Sequence, residues 1–568
     1  MNLPPFIRNH HKKIFYLSWL ILNLFQAANT GLLDDEAYYW VYSRFPDWGY
    51  FDHPPMIAIL IKAGWSIFPG ELGVRFFIVL MSTATLWMIH RLAGNRNNKL
   101  FYLIASSMFL LQIGSIIAVP DLPLMFFTAL FFLVYQRFLQ KSDILTTITL
   151  GIVISAMLYS KYHAVLVIFF TLLSNPRLLF KRQIWLAASI AAVLFMPHAW
   201  WQYNHGFPSV KYHLFERNAL VYQWGFTIEY ITGQFLLAGP LIGWLLLWGA
   251  FRYKPDNLLD KALKWCLAGI YLLFLLATFK GRSEANWTVP AFVSLIVLAK
   301  KYMDEKPALS AWVGRLFLPS LVLILAARIY MMVDMNPLPW IKKDEFHKTK
   351  EWAHAIREKA GGLPVVFMSS YQKASQYWFY TGDTAYSLNS IYYRRNNYNF
   401  WPIEKRLQEK KAYILSPDDP TVFPDSIITK RKYIGARIAN PFYSFASVQI
   451  AARQNLVISG SKLNTIIAVE NEGNVAENGS GFYQYVKTLQ DTAKIYLAVY
   501  NKDNEVGYSL PSNITIGELL QQRSMKVEVD LGGIKPRKYR CKWAIGNCVP
   551  GFPSLNSTSI TLEVRNVP

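Results

Sequence analysis

The sequence predicts a polytopic α-helical membrane protein with a soluble, extracytoplasmic C-terminal portion that is α/β at first and then β-rich. Three observations lead there. Of 568 residues, 53% are hydrophobic and only 17% charged, with a mean hydropathy of +0.19, whereas an average soluble domain carries about 25% charged residues. Apolar runs of about 15 to 25 residues, the length that crosses a hydrocarbon core about 30 Å thick, follow one another from Ile14 to Met332. After Asp334 no such run recurs, and residues 333–568 hold 30 basic and 21 acidic side chains in patterns typical of a soluble fold.

About eleven spans are expected, near 14–33, 74–90, 100–118, 124–139, 144–159, 162–174, 184–201, 226–250, 262–279, 287–300 and 312–331. The first follows RNHHKK and reads as a retained span, because no convincing cleavage site precedes the acidic cluster behind it. Lys and Arg cluster in alternate loops: Arg8, Lys12 and Lys13; Arg91, Arg96 and Lys99; Lys141; Arg177, Lys181 and Arg182; Arg252, Lys254, Lys261 and Lys264; Lys300, Lys301 and Lys306. This alternation puts the N-terminus in the cytoplasm. The runs 144–159 and 162–174 are short, yet Lys141 and the Arg177 cluster demand an even number of passes between them. The net charge of +22 is therefore a topology signal, with the lipid bilayer as partner and no nucleic acid.

Beyond residue 340, KTKEWAHAIREKAGG, YQKASQYWFYTG and WPIEKRLQEKK read as helices, with PVVFMSS, AYSL and AYILS as strands between them. That alternation predicts a small α/β unit with a largely parallel sheet. Later, IYLAVYN, MKVEVDL and SITLEVR alternate as half-exposed strands do. The expected division is a membrane module over 1–335, an α/β domain over 336–435 and a β-rich domain over 436–568. Three cysteines build neither a zinc site nor a disulfide framework, and the sequence leaves open whether Cys541 and Cys548 pair.

The loops opposite the basic ones gather Asp34, Asp35, Glu36, Asp52, His53, Glu71, Arg75, Asp121, Lys161, Glu216, Arg217, Lys280, Arg282 and Glu284. Ionisable groups near a bilayer are costly and mark functional sites. The first of these loops, rich in Trp and Tyr and broken by prolines, reads as two or three interfacial helices; Ile57 to Phe68 is too short to span. Three consecutive carboxylates after a span exceed what helix capping requires. Asp35 is the candidate base for taking a proton from an attacking hydroxyl, with Asp34, Glu36 and Asp121 as further catalytic candidates. Lys161, Lys280 and Arg282, and behind them Arg75 and His53, are candidate cations for a leaving phosphate. Asp52, Tyr162, Glu284, Asn286 and Trp287 are expected to line the cavity. A divalent metal could sit on Asp35, Asp52 and His53, but no spacing specifies one, and no cofactor is obligatory.

The ordered set D-D-E-A-Y-Y-W, Y-F-D-H-P-P, V-R-F-F, P-D-L-P-L, S-K-Y-H and K-G-R-S-E-A-N-W-T-V-P-A resembles the GT-C membrane glycosyltransferases. It is most similar to the bacterial branch related to protein O-mannosyltransferases and to the aminoarabinose transferases of lipid A. The resemblance covers about residues 10–340. It implies inverting transfer of a sugar from a polyprenyl-phosphate donor to an extracytoplasmic glycolipid, glycan or protein, at the bacterial cytoplasmic (inner) membrane. It also implies that the acid of the first-loop D-E pair, here Asp35 before Glu36, is catalytic. Asp52 and His53 stand where the aminoarabinose transferases tend to have Glu-Lys. The rival class is a transporter or flippase of lipid-linked substrates, which would place its polar groups at the bilayer midplane.

Orientation is open to direct measurement. Single cysteines introduced near Arg91, Lys181 and Lys261 should be protected from a membrane-impermeant thiol reagent in whole cells, while ones placed after residue 340 should react. The reversed pattern would invert the assignment.

Overall fold

The computed structural model describes residues 5–216, 221–334, 344–416, 422–428, 433–471, 493–501 and 505–565. Arg217 and the expected boundary at 335/336 lie outside the described residues. The chain divides into two compact units, 1–209 with 222–347, and 210–221 with 348–568.

The first unit is helical. Its elements are α1 (Pro5–Ala28), α2 (Asp34–Arg44), α3 (Met56–Ile67), α4 (Glu71–Ala93), α5 (Asn98–Ser107), α6 (Phe109–Gln112), α7 (Asp121–Gln140), α8 (Ile144–Ser160), α9 (Ala164–Ser174) and α10 (Arg182–Asn204). After α11 (Pro208–Lys211) come α12 (Trp224–Ala238), α13 (Gly243–Arg252), α14 (Leu258–Ala277), α15 (Val289–Asp304) and α16 (Pro307–Met332). Every run read as a span is helical, but the expected eleven crossings are not eleven straight helices. Among the described residues, four are long and apolar enough to cross a membrane: α4, α7, α10 and α16. Two bent pairs raise this to six, one breaking by 80° after α5 and the other, α12 and α13, by 94°. At the second break Gly239 takes a φ of +135°, which suits glycine, and Pro240 has no N–H to continue the helix. α8 and α9 are short, with 17 and 11 residues.

α15 lies at the centre. It is buried at every position from Val289 to Lys300, as a helix apolar on all sides must be, and it packs on α4, α5, α7, α13 and α14. Its end is tied down by Lys300, whose ammonium is fully buried, pairs with Asp304 at 2.6 Å and donates to the Gly94 and Arg96 carbonyls. Lys12 reaches Asn95 at 2.9 Å, Lys301 reaches Asp260 at 2.6 Å and Lys181 reaches Ser142 at 3.3 Å. Each contact joins loops that charge alternation puts on the same side. The first extramembrane loop holds two helices, α2 and α3; α3, at 12 residues, extends only about 18 Å.

In the second unit β1 (Val365–Met368) runs parallel to β2 (Ala385–Leu388) and β3 (Ala412–Ser416), with α17 (Thr349–Ala360), α18 (Tyr371–Thr381) and the short α19 (Ile403–Leu407) between or before them. β4 (Asp425–Ile428) and β5 (Tyr433–Ala439) complete a sheet of order β2-β1-β3-β5-β4. The sheet is mixed rather than largely parallel: β5 pairs antiparallel with β3 and with β4, a pairing that needs no crossover helix.

Among the described residues the second sheet has nine strands: β6 (Gln449–Ala452), β7 (Asn455–Ser459), β8 (Lys462–Asn471), β9 (Lys494–Tyr500), β10 (Val506–Thr515), β11 (Ser524–Asp530), β12 (Arg537–Ile545), β13 (Ser554–Leu555) and β14 (Ile560–Arg565). Their order is β6-β8-β11-β10-β9-β12-β14-β7, with β13 on β12. Tyr539, Cys541 and Trp543 alternate into its core. Cys541 and Cys548 are both free thiols.

Candidate active site

Asp34, Asp35 and Glu36 form the first turn of α2, where unpaired N–H groups and the helix dipole favour anions. They have different surroundings. Glu36 is fully buried and its Oε2 accepts the Leu33 N–H at 3.0 Å, which caps the helix. Arg75 of α4, also fully buried, grips the same carboxylate through Nε at 2.7 Å and Nη2 at 2.5 Å, the fork geometry suited to guanidinium and carboxylate. Arg75 also donates to the carbonyls of Ala27, Thr30 and Gly31 at 3.2, 2.6 and 2.9 Å. Glu36 Oε1 takes one more bond, from the Ala118 N–H at 2.8 Å, just ahead of Asp121. One ion pair thus joins the end of α1, the start of α2, α4 and the approach to α7.

This changes two expectations. Arg75, expected at a donor phosphate, directs all five of its N–H donors to protein acceptors and has none left for a ligand. Glu36, expected beside the chemistry, is occupied in the interior. Asp35 is exposed and Asp34 half-buried, so Asp35 is the most accessible carboxylate of the three.

Asp52 is buried under α2, where Tyr38 and Tyr42 donate their hydroxyls to its Oδ2 at 3.2 and 3.3 Å. Burial, together with Tyr38 and Asp52 nearby, pushes the Tyr42 hydroxyl pKa well up and so keeps it a donor. His53 sets its ring edge-on to Tyr39 at 5.7 Å, and its carbonyl accepts the Tyr50 N–H at 3.2 Å. The far side of this loop is held by the end of α10 and by Ser209. His198 Nδ1 donates to the Trp48 carbonyl at 2.8 Å, Trp201 Nε1 to Asp47 at 2.7 Å, and the Ser209 hydroxyl to the Tyr50 and Phe51 carbonyls at 3.1 and 2.8 Å. With Nδ1 so used, His198 Nε2 accepts the Tyr162 hydroxyl at 3.0 Å.

Lys161, next to Tyr162, connects this loop to the remaining motifs. Its ammonium meets Asp121 Oδ1 at 2.7 Å, and Asn286 Nδ2 donates to Asp121 Oδ2 at 3.1 Å. Asp121 and Lys161 are buried and Asn286 is exposed. Three motifs separated by up to 165 positions therefore converge on one carboxylate. The 285–288 turn is fastened to α12 by Thr288 donating to Gln234 at 2.6 Å and Gln234 donating to the Ala285 carbonyl at 3.1 Å. Trp287 packs beside His163 and Phe274 at 5.6 and 5.4 Å. Lys280 and Arg282 are exposed; Arg282 pairs with Glu229 at 3.0 Å and Glu284 at 3.8 Å, contacts that solvent screens strongly.

Asp35, Asp52 and His53 are not the metal-like cluster of this fold. Among the described residues, the carboxylate and imidazole atoms that lie within 4.8 Å of one another belong to Asp334, Asp344 and His347. Residues that the sequence did not single out include Tyr38 and Tyr42, whose four-residue spacing on α2 is the signal, and His198, a lone imidazole after Pro197 at the end of an apolar helix.

A family model described as dolichyl-phosphate-mannose-protein mannosyltransferase matches residues 52–201, the stretch that carries Asp52, His53, Arg75, Asp121, Lys161, Tyr162 and His198. The chain is 27% identical over 290 residues to lipid A galacturonosyltransferase RgtD of Rhizobium johnstonii, covering 48% of this chain and 60% of the relative's length. Its fold is similar to that of ArnT from Cupriavidus metallidurans. The crystal structure bound to undecaprenyl phosphate gives a TM-score of 0.55 at 14% identity, covering 75% of this chain and 98% of ArnT. The apo structure gives 0.55 at 13%, covering 76% and 98%. Over part of its length the chain is thus similar to proteins described as a mannosyltransferase and a lipid A galacturonosyltransferase, and its fold is similar to that of ArnT.

Removing either partner of the Glu36–Arg75 pair leaves a buried charge uncompensated, a loss of about 3–5 kcal/mol. Glu36→Gln and Arg75→Gln should each lower the thermal unfolding midpoint of the detergent-purified protein markedly, whereas Asp35→Asn should leave it unchanged. Equal midpoints for all three would remove the pair from its framing role.

Proposed function

We propose that this chain transfers a sugar from a polyprenyl-phosphate-linked donor to an extracytoplasmic acceptor, with Asp35 as general base. The observation that carries the reading is the accessible Asp35 carboxylate beside a buried pair whose bond to Ala118 links it to the Asp121–Lys161–Asn286 cluster. The matched mannosyltransferase segment, the galacturonosyltransferase relative and the fold shared with a protein crystallised with undecaprenyl phosphate support it. The lipid A activity of the relative favours an anionic glycolipid as acceptor over a protein.

In this mechanism the acceptor hydroxyl gives its proton to the Asp35 carboxylate as its oxygen attacks the anomeric carbon from the face opposite the leaving group. The bond from that carbon to the phosphate oxygen breaks, the electron pair stays on the polyprenyl phosphate, and the configuration inverts. The departing phosphate gains charge, which positioned cations stabilise. Lys280 and Arg282 are the exposed cations for this, and Arg282 can exchange its screened carboxylate partners for the phosphate. Lys161 keeps two ammonium hydrogens beyond the one given to Asp121, and Asn286 carries the 280–288 stretch to the same carboxylate. The active face is extracytoplasmic in this reading, with the N-terminus cytoplasmic.

Asp35→Asn preserves size and most hydrogen bonding but removes the proton acceptor, so turnover with a hydroxyl acceptor should fall by roughly 10²- to 10⁴-fold with donor affinity retained. A purely capping role predicts near silence, since Asn caps a helix about as well as Asp. Asp34→Asn controls the register: a dead Asp34→Asn beside an active Asp35→Asn moves the base one residue earlier. Arg282→Ala should raise the donor KM, and unaltered donor kinetics would remove Arg282 from the site.

A further inference from the structure

The second unit holds a basic cluster that has no part in the mechanism proposed above. Lys538, Arg540 and Lys542 alternate along β12 and so share one face, opposite the face on which Tyr539, Cys541 and Trp543 enter the core. Segment 210–221 belongs to this unit and supplies Glu216, whose carboxylate lies 3.7 Å from the Lys542 ammonium, with each side chain only 12% exposed. Arg395, in the stretch after β2, is 7% exposed; its guanidinium lies 5.2 Å from the Phe400 ring centre, and its Nε and Nη2 have no hydrogen-bond partner. Burial pulls the pKa of Arg395, Arg540 and Lys542 down, and Glu216 opposes it at all three. The exposed Glu470 adds to Glu216 at Arg395, and Tyr500 faces Arg540. The largely buried Arg395 and Lys542 and the half-buried Arg540 thus lie about the one carboxylate of Glu216, an arrangement that a further anion would stabilise.

A cavity of about 520 Å³ opens at Arg540. Among the described residues that line it are Arg537, Lys538, Arg540, Tyr500, Asn501 and Thr561, and no Asp or Glu. Glu563, 3.7 Å from Lys538, lies outside the lining. The volume is that of a small-molecule site. An aromatic ring, an amide and a hydroxyl beside guanidinium groups match a sugar ring carrying an anion, since Arg recognises phosphate bidentately.

We propose that this cavity is a binding site for a phosphorylated saccharide, with the phosphate directed to Arg540 and the buried cations behind it and the sugar toward Tyr500 and Asn501. The site does not depend on the transfer reading, because binding is measured without turnover.

The test uses the full-length protein in detergent, titrated calorimetrically with glucose 1-phosphate and, separately, with glucose. The sugar phosphate should bind, weaken as salt is raised and exceed glucose in affinity. Arg540→Gln should weaken binding by about tenfold, the loss of one charge-assisted hydrogen bond. Glu216→Gln should tighten it, because the competing carboxylate is gone; a gain in affinity cannot come from misfolding. Vesicles bearing a phosphorylated glycolipid that displace glucose 1-phosphate assign the site to a lipid headgroup, and vesicles that do not displace it assign the site to a soluble sugar phosphate. Absence of glucose 1-phosphate binding, or affinity unchanged in both Arg540→Gln and Glu216→Gln, overturns the proposal.

Discussion

The arrangement of the N-terminal unit depends on the Glu36–Arg75 ion pair. A buried pair is tolerable only where the remaining lone pairs and protons are also met, and here they are: Glu36 accepts from Leu33 and Ala118 as well as from Arg75, and Arg75 donates to three carbonyls at the end of α1. The pair therefore sets the register of α1, α2, α4 and α7 relative to one another. It also sets Asp35. Successive residues on a helix are rotated by about 100°, so anchoring Glu36 toward the interior turns its neighbour to the exposed side. The acid proposed for chemistry is accessible because the next acid is not.

A second constraint carries that position to the rest of the site. Asp121 begins α7, Lys161 follows α8 and Asn286 lies in the turn before α15, and the three meet at a single carboxylate. Tyr162 continues the chain of contacts through His198 to the loop of Asp52. Each segment is held at an element end by a rigid neighbour, so a polar site can exist where helices stop and backbone groups need partners. The exposed Lys280 and Arg282 sit on the segment that Asn286 and Thr288 fasten, which joins the mobile charge of long side chains to a fixed backbone.

Much of this was legible in the sequence, for identifiable reasons. Apolar run length and the alternation of Lys and Arg are one-dimensional signals, and they located the helices and paired their loops; the contacts of Lys12, Lys300 and Lys301 join loops of one expected side. The bend between α12 and α13 has its cause in Gly239-Pro240, yet a hydropathy window averages across it and returns one span. Arg75 was misplaced because exposure is a tertiary property: an arginine among apolar residues looks the same from the sequence whether it faces a ligand or a buried glutamate. Asp121, Lys161 and Asn286 could be named from motif order, but not their mutual contact, which closes 165 positions of chain. The mixed sheet was missed because AYILS reports a strand and says nothing about the direction of the strand beside it.

The measurement that tests the account most directly is a cryo-EM map of the purified protein with undecaprenyl phosphate added. Phosphate density is expected within hydrogen-bond distance, about 3 Å, of Arg282 or Lys280, at the end of the helical unit that also holds Asp35, with Arg75 still on Glu36. Phosphate density at the opposite end, beside Lys300 and Lys301, or on an Arg75 released from Glu36, would contradict it.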